Sequence, residues 1–270
     1  MLYSALNTPP VDDELLDGAG GILTTLCLGG PAEDITDYPA APEVINQYLT
    51  IVTQRPPTVI RVAVVLELAR FITSDNAMSL NWTDTTRARL RRTCDRLVER
   101  PDWLFAVDHA LDNPDLSQFR RAIWPAQRLG IPTRTRIRAR VHAHPEDGYL
   151  WQALIDDIDD VLVLAPQLLP LDRLGGGPTL DIGLDASQPH HILDLIVSRL
   201  DAHPGKGWPL IRIALANPTI RNRNMAINAL TAWPQDTIQD HVIAALQQAI
   251  TLEPDPTVRD RMCQLIATRQ

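Results

Sequence analysis

The sequence predicts an all-α protein assembled from repeated helical units, and three observations carry that prediction. Apolar residues recur every three to four positions along most of the 270 residues, which is the spacing of an amphipathic helix. Proline, glycine, asparagine and aspartate interrupt this pattern at short intervals, as helix starts and stops do. A seven-residue motif also occurs twice, at 217–223 and 255–261, which is an offset of 38 residues. Because 45% of the residues are hydrophobic, the chain can bury a core, which excludes a disordered protein.

The helices can be placed one after another along the chain. Residues 1–40 are rich in Gly, Pro and Asp and are expected to form an irregular arm with one helix around residues 12–16. An amphipathic helix follows from Pro42, and residues 58–73 are apolar almost all round, which predicts a helix buried between neighbours. Further helices are predicted at 83–99, 101–112, 115–129, 148–165, 187–202, 206–216, 219–233, 235–251 and 256–268.

Residues 133–144 do not follow the helical period. Arginine or histidine occupies every even position, and small or apolar residues occupy the odd ones. This alternation is typical of a strand and would place all six basic groups on one face, whereas a helix would spread them around its axis. A strand needs a partner, for which residues 161–164 and 179–184 are candidates. The predicted fold class is therefore an all-α superhelix or solenoid, with one short β-hairpin in the middle as an open alternative.

The repeated motif has a physical role at each of its positions. It reads Asn-Pro-Thr-Ile-Arg-Asn-Arg in the first copy and Asp-Pro-Thr-Val-Arg-Asp-Arg in the second. Asn217 and Asp255 are expected to cap a helix by accepting its unpaired amides. Pro218 and Pro256 would then occupy the first helical position, where a missing N–H costs nothing. The aliphatic residue that follows opens an apolar stripe, so each copy predicts the start of a core helix.

This combination of an Asp or Asn, a proline, an aliphatic residue and an arginine ahead of an apolar helix resembles the second helix of a HEAT repeat. HEAT repeats are armadillo-type α-solenoid units, in which the arginine, here Arg221 and Arg259, commonly pairs with an acidic residue of an adjoining repeat. Residues 187–268 carry the resemblance well and residues 42–130 loosely, whereas residues 131–186 depart from it. The resemblance implies stacked helical pairs, each burying its apolar face on the next.

A second resemblance covers part of the same region. Residues 205–212, 222–224 and 233–234 are similar to bacterial proteins labelled limonene hydroxylase. We find no haem, flavin or metal chemistry among these residues, and we expect no cofactor.

Charge is distributed unevenly along the chain. The net charge of −8 combines −8 in residues 1–54, +7 in residues 55–140 and −7 in residues 141–270. Arginine supplies 24 of the 25 basic residues, and its guanidinium group favours planar contacts with carboxylates or phosphates. The arginines considered for binding a partner or nucleic acid are Arg87, Arg91, Arg121, Arg134, Arg136, Arg138 and Arg140.

These arginines allow two interpretations. They can pair within the fold or line solvated helix faces, as charged runs usually do. Grouped along the concave face of a solenoid, they would instead neutralise several phosphates. A nucleic-acid-binding helical-repeat protein that uses the arginine-rich region 87–140 is therefore the first alternative function.

A cluster of aspartates gives the second alternative. Asp156, Asp157 and Asp160 match the DDxxD pattern with which terpenoid synthases bind magnesium diphosphate, and carboxylates suit Mg²⁺. No second metal motif follows, and the neighbouring apolar residues would leave these acids on an ordinary solvated face. A Mg-dependent helical enzyme acting on a diphosphate is the function that this cluster would support.

The expected organisation has four parts. These are an acidic irregular arm at 1–41, a helical lobe at 42–130, an irregular connecting region at 131–186 and HEAT-like repeats at 187–270. No stretch is apolar enough to span a membrane, and three widely separated cysteines predict no disulfide, so we expect a cytoplasmic protein. The favoured function is a non-catalytic interaction module that presents a curved helical-repeat surface to another protein.

Overall fold

The structure, a computed structural model, describes residues 12–27, 42–75, 82–184 and 186–268. These residues form an all-α fold, which confirms the predicted class, and their only β pairing is the isolated parallel bridge between Asp181 and Thr219. The chain divides into two compact units, Met1–Thr133 and Arg134–Gln270. None of the described helices combines the length and the apolar character that crossing a lipid bilayer requires.

In the first unit the helices are α1 (Asp13–Cys27), α2 (Pro42–Thr53), α3 (Val59–Ile72), α4 (Asp84–Val98), α5 (Pro101–Ala110) and α6 (Leu116–Arg128). Local sequence explains where several of them begin. Thr58, Thr83 and Asp115 precede α3, α4 and α6, and the side chain of each accepts a backbone N–H of the first turn. Pro101 occupies the first position of α5, where its missing N–H costs nothing.

Helix α3 lies at the centre of the first unit. It packs against α1, α4 and α6, and buried residues occur all round it, as its apolar sequence predicts. Its buried Arg61 donates from Nε to Asp17 at 2.8 Å and from Nη2 to Asp13 at 2.7 Å. Both aspartates belong to α1, so these ion pairs fasten α1 to the centre of the unit.

The N-terminal helix is longer than the sequence predicts. Part of the arm that was expected to be irregular at 1–41 is instead a helix, Asp13–Cys27. Leu16, Ala19 and Leu23 of this helix are buried. Its three glycines indicated irregular backbone, because glycine weakens an isolated helix. Packing outweighs that weakness, since one of the three, Gly20, lets α1 approach Tyr48 and Val64 closely. The rest of the expected arm lies outside the described residues.

In the second unit the helices are α7 (Arg134–Ala143), α8 (Gly148–Leu154), α9 (Ile158–Leu168), α10 (Leu171–Leu174), α11 (Gln188–Arg199), α12 (Trp208–Leu215), α13 (Ile220–Ala232), α14 (Asp240–Leu252) and α15 (Pro256–Ala267). The connecting region expected to be irregular at 131–186 therefore contains α7 to α10. The single helix predicted at 148–165 is two helices, because the chain turns after Leu154 and Asp157 precedes a new start at Ile158.

The second unit contains the stacked helical pairs that the repeated motif predicts. Helices α11, α13 and α15 pack in sequence against one another, while α12 packs on α13 and α14 packs on α15. The two motif copies lie at the starts of α13 and α15. Their apolar stripes are buried, with Ile227 and Leu230 in α13 and Met262 and Leu265 in α15.

The two motif copies start their helices differently. Asp255 caps α15 as predicted, since its Oδ1 accepts the N–H of Val258 at 3.0 Å. In the other copy Asn217 is fully buried, where its Oδ1 accepts the N–H of Thr219 at 2.9 Å and its Nδ2 donates to the Leu174 carbonyl at 2.8 Å. Helix α13 therefore begins two residues later than the motif predicts, and the expected first-position proline precedes it.

Within residues 133–144, Arg134–Ala143 form helix α7 rather than a strand, so the β-hairpin alternative is wrong. Ile137 and Val141 are the only large apolar residues at the odd positions, and both are buried. Because they are four residues apart, a single helical face buries both of them. Within residues 179–184, which were considered as its strand partner, Asp181 bridges to Thr219 instead.

Candidate functional site

An open groove runs along α3 in the first unit, and we call it the α3 groove. It has a cavity volume of about 310 Å³ and walls from α1, α3 and α6. Its lining residues are Gly21, Val59, Ile60, Ala63, Val64, Glu67, Arg121 and Trp124. Most of these residues are apolar or small, so the groove can accept an apolar side chain.

Small residues keep the α3 groove open. Outside its own helix, a Cβ atom at Gly21 would meet no atom of a described residue within 4 Å, so α1 faces open space there. On α3, Ile60, Ala63 and Glu67 follow one another at three- and four-residue spacing and are each partly exposed. Residues at this spacing share a helical face. The groove therefore has a continuous floor from one helix rather than a scattered set of side chains.

The electrostatics of the α3 groove are set by Arg121. Glu67 is already paired, because its Oε2 accepts a hydrogen bond from Nε of Arg70 at 2.8 Å. The Arg121 side chain is exposed and has no hydrogen bond or ion pair with any described residue. One positive charge beside the groove is thus uncompensated.

Trp124 supplies the second recognition element of the α3 groove. It lies three residues after Arg121 on α6, so the two side chains share a face of that helix. Tryptophan offers a large apolar surface, and arginine offers a planar fork that matches a carboxylate. The groove can thus hold an apolar side chain and an adjacent carboxylate at the same time.

Most of the arginines proposed from the sequence are engaged within their own unit. The ion pairs join Arg87 to Asp84, Arg91 to Asp95, Arg134 to Asp157 and Asp160, and Arg138 to Asp160. Arg121 lines the α3 groove, and Arg136 and Arg140 lie on α7. The four arginines at alternate positions 134–140 would share one face of a strand, but in helix α7 they lie on different faces.

A different set of arginines is exposed on α4. Arg89, Arg92 and Arg96 recur at three- and four-residue spacing, and their side chains make no hydrogen bond or ion pair with a described residue. We call these three residues the α4 basic face. The sequence grouped them with Arg87 and Arg91 on one helix, and only the structure separates the paired arginines from the free ones.

The aspartate cluster is held by cationic side chains. Asp160 accepts hydrogen bonds from Nε of Arg134 at 2.6 Å and from Nη1 of Arg138 at 2.8 Å. The Arg134 guanidinium lowers the pKa of Asp160, and Asp160 in turn raises the pKa of Arg134. Asp159 accepts from Lys206 at 2.6 Å.

These contacts change the interpretation of the DDxxD pattern. Asp157 lies 3.2 Å from Arg134, so three acids of the cluster face cations of the same unit, whereas Asp156 has no ion pair among the described residues. The described part of the chain brings no three His, Cys, Asp or Glu side chains together in a metal-binding arrangement. The described contacts therefore make the cluster an ion-pair network that joins α7, the start of α9 and Lys206.

The repeat arginines also differ from expectation. Arg221 donates to Asp194 of α11 at 2.8 Å, the pairing that the HEAT resemblance implies. Arg259 has no such pairing in the described part of the chain, and Arg261 donates to Asn224 and Asn228 on α13 instead. The second repeat contact is thus made by a different arginine of the motif.

Sequence reasoning missed the most deeply buried charged pair. Arg223 and Glu253 are 0% and 1% exposed, and Nε of Arg223 lies 2.8 Å from Oε2 of Glu253. Arg223 also donates to the carbonyl oxygens of Asn217 at 2.8 Å, Pro218 at 2.7 Å and Thr179 at 2.7 Å. The available signal was the last position of the motif, which is arginine in both copies.

A second groove lies in the second unit, between α12, α14 and the turn after α10. Its cavity volume is about 270 Å³, and its lining residues are Gly175, Pro178, Arg212, Ile213, Leu215, Ala216, Ala245, Gln248, Ala249 and Leu252. Arg212 is exposed and has no ion pair within the described residues. Each unit thus has an apolar groove with an unpaired arginine.

Comparison with known proteins returns little. No protein-family model and no curated protein matches the chain. Among solved structures, a designed armadillo repeat protein is similar, with 13% sequence identity and a TM-score of 0.31, over 100% of this chain and 98% of that one.

Proposed function

We propose that the protein is a non-catalytic interaction module and that its α3 groove binds a segment of another protein. The segment that fits combines an apolar side chain with a neighbouring carboxylate. The observation that carries the proposal is the unpaired Arg121 beside Trp124 at an apolar groove. A partner with a carboxylate gains an ion pair there, whereas a basic partner is repelled.

The chemistry of the groove predicts weak to moderate binding. Burial of apolar surface contributes about 25 cal/mol per Å², and an exposed ion pair adds about 0.2–1 kcal/mol. A groove of this volume holds one or two side chains, so its occupant must be a short segment. We therefore expect recognition of a local sequence pattern rather than of a whole folded surface.

Gly21 offers a direct test, because its substitution fills the groove without touching the core. Gly21→Trp projects an indole into the open space, since a Cβ at this position meets no atom within 4 Å. Gly18→Trp is the matched control, because Gly18 also lies on α1 with no atom near its Cβ position and does not line the groove. Proteins captured from a nuclease-treated lysate by the unmodified chain should be lost with Gly21→Trp and kept with Gly18→Trp.

Charge reversal provides an independent arm of this test. Arg121→Glu should abolish capture of the same proteins while leaving the helical circular dichroism spectrum unchanged, because the exposed Arg121 side chain makes no hydrogen bond or ion pair with a described residue. Equal capture by Arg121→Glu and by the unmodified chain would contradict the proposed role of the α3 groove.

The α4 basic face keeps nucleic-acid binding as a second candidate function. Three exposed, unpaired arginines on one helical face can neutralise phosphates, and such binding weakens steeply with salt. Arg92→Glu with Arg96→Glu should remove a salt-sensitive gel shift with single- or double-stranded probes. Arg134→Glu with Arg138→Glu is unsuitable for this purpose, because it breaks the ion pairs to Asp160. Absence of any shift at low salt would eliminate this candidate.

A further inference from the structure

The segment between α10 and α11 exposes large apolar side chains. Leu180 and Ile182 are 63% and 62% exposed, and Leu184 is 84% exposed. We call residues 179–184 the exposed segment. Single exposed apolar side chains are common on protein surfaces, but three of them within five residues form a patch that indicates a contact surface.

The first part of the exposed segment is fixed to the repeat beneath it. The N–H of Thr179 donates to the carbonyl of Pro218 at 3.3 Å, and the N–H of Ile220 donates to the carbonyl of Asp181 at 2.7 Å. The buried Arg223 donates to the Thr179 carbonyl at 2.7 Å. This backbone is therefore in place before a partner arrives, which lowers the entropic cost of binding.

Asp181 adds an exposed carboxylate to these apolar side chains. Its Oδ1 accepts the N–H of Gly183 at 2.7 Å, so the carboxylate lies alongside the backbone next to Ile182. Its Oδ2 makes no hydrogen bond or ion pair with a described residue. No Arg or Lys occurs in the sequence between Arg173 and Arg199, so the charge of this stretch is negative.

The α3 groove has the complementary chemistry. Its lining accepts an apolar side chain, and the exposed Arg121 has no ion pair with a described residue. The acidic lining residue, Glu67, is already paired with Arg70. The groove thus presents an uncompensated positive charge beside an apolar floor, whereas the exposed segment presents a negative charge beside apolar side chains.

We propose that the exposed segment of one copy of this chain docks into the α3 groove of a second copy. Ile182 enters the groove, and Oδ2 of Asp181 accepts from the guanidinium of Arg121. The inference rests on the proposed function of the α3 groove and names a partner for it. An apolar segment without an acid would leave Arg121 unpaired, and a basic segment would be repelled.

This contact joins two different surfaces, and that has two consequences. No symmetry axis sets a carboxylate of one copy against the same carboxylate of the other. A pair of copies also keeps one free groove and one free segment, so further copies can join. Stable interfaces bury about 1,200–2,000 Å² in total, and a few side chains supply only part of that area, so the association should be weak.

Sedimentation equilibrium of the full chain tests the inference. The average mass should rise above that of one chain as the concentration increases from about 5 to about 500 µM, the range suited to a weak contact. Gly21→Trp should hold the chain at the mass of one copy, because the indole fills the groove. Ile182→Lys should do the same, because it places a positive charge where an apolar side chain has to enter beside Arg121.

Mixing these two variants gives the decisive measurement. The Ile182→Lys chain keeps an open groove, and the Gly21→Trp chain keeps an intact exposed segment. An equimolar mixture should therefore approach the mass of two chains and go no further, although each variant alone stays at the mass of one. A mixture that stays at the mass of one chain overturns the inference.

A charge swap tests the ion pair itself. Arg121→Glu and Asp181→Arg should each stay at the mass of one chain, because each brings like charges together at the contact. Their mixture should associate, since the altered groove of the first variant then meets the altered segment of the second with opposite charges. Association of either variant alone to the extent of the unmodified chain contradicts the pairing of Asp181 with Arg121.

Gly18→Trp and Val163→Lys are the matched controls. Gly18 does not line the groove, and Val163 is 54% exposed on α9, outside the exposed segment. Both should associate as the unmodified chain does, and circular dichroism should show that every variant keeps its helices.

The inference and the proposed function can fail separately. An unmodified chain that stays at the mass of one copy throughout the range overturns the inference. If Gly21→Trp still loses the proteins captured from the lysate in that case, the groove binds a different protein and the proposed function stands. If capture survives Gly21→Trp as well, the proposed function fails too.

Discussion

At the scale of single residues, Arg223 is a buried anchor of the second unit that the sequence did not single out. It is fully buried and reaches Glu253 and three carbonyl oxygens from two segments of the chain. The three carbonyls accept from Nη1 and Nη2 of Arg223, and Nη2 also donates to Oε1 of Glu253 at 2.9 Å, so most of the guanidinium's donors are used within the core. The pair therefore joins the start of α13, the turn before α15 and the segment at Thr179.

Removing one member of this pair should be strongly destabilising. Arg223→Met leaves the Glu253 carboxylate buried without its cation, and we expect the free energy of unfolding to fall by about 3–5 kcal/mol. Urea denaturation followed by circular dichroism measures the loss.

The double variant Arg223→Met with Glu253→Gln separates the pair from its surroundings. It should recover part of the stability lost in Arg223→Met, because the unpaired buried charge is gone. If the double variant loses as much free energy of unfolding as the two single variants together, or more, the ion pair is not the main source of the effect.

Asp160 should make the stability of the second unit depend on pH. The hydrogen bond from Arg134 lowers the pKa of this carboxyl in the folded chain below its value of about 3.9 in an unfolded one. Its contribution is therefore complete above about pH 4 and is lost as the pH falls through the lower, folded-state pKa. Urea midpoints measured between about pH 6 and pH 2.5 should show this decline.

Asp160→Asn gives the corresponding control. This variant should be less stable than the unmodified chain at pH 7 and should lose less stability on acidification, because its amide does not titrate. Parallel pH profiles for the two proteins would refute the role assigned to Asp160.

At the scale of helices, the close contact of α1 with its neighbours depends on one glycine. A Cβ atom at Gly20 would lie 2.6 Å from the hydroxyl oxygen of Tyr48 and 2.9 Å from Cγ2 of Val64. Both neighbours are buried, and burial raises the pKa of the Tyr48 phenol, so this contact stays uncharged. The packing of α1 thus has no room for a methyl group at this point.

Gly20→Ala should therefore destabilise the first unit by about 1–3 kcal/mol, the usual cost of overpacking a core. Gly21→Ala is the matched substitution on the same helix, and its Cβ meets no neighbour within 4 Å. It should leave stability unchanged or raise it by up to about 1 kcal/mol, since alanine favours a helix. Thermal unfolding of the two variants compares them, and equal midpoints would contradict the packing assigned to Gly20.

Helix α7 shows why sequence pattern predicts some elements and not others. The motif at 255–261 fixes the start of α15, because its capping depends only on residues a few positions apart. The alternation at 133–144 has no such local cause, and the decisive contacts join Arg134 and Arg138 to Asp160, more than twenty positions away. The α3 groove was out of reach for the same reason, since only folding brings Gly21 to the face of Arg121 and Trp124.

At the scale of the whole molecule, the basic segment 55–140 does not lie within a single unit. The boundary between the two units falls after Thr133, inside the segment that carries +7, and the units have net charges of −5 and −3. The charge asymmetry along the chain is thus divided between the units, and ion pairs inside each of them use much of it. A net basic region in sequence is therefore weak support for nucleic-acid binding by itself.

The second unit should fold without the first. Its helices pack among themselves around Trp151 and Trp233, both of which are buried and donate to backbone carbonyls of the same unit. A fragment of residues 134–270 should give a helical spectrum and one cooperative urea transition. A fragment without a cooperative transition would show that the two units do not fold separately.

The contacts of Arg223 have a consequence for how this part of the chain can evolve. Three of its acceptors are backbone carbonyl oxygens, which every amino acid supplies, so positions 179, 217 and 218 can change identity without losing this anchor. Glu253 is the exception, because among the described residues its carboxylate is the only side chain that pairs with the guanidinium group. In diverging descendants of this sequence, residues 223 and 253 should therefore change together, as a linked pair.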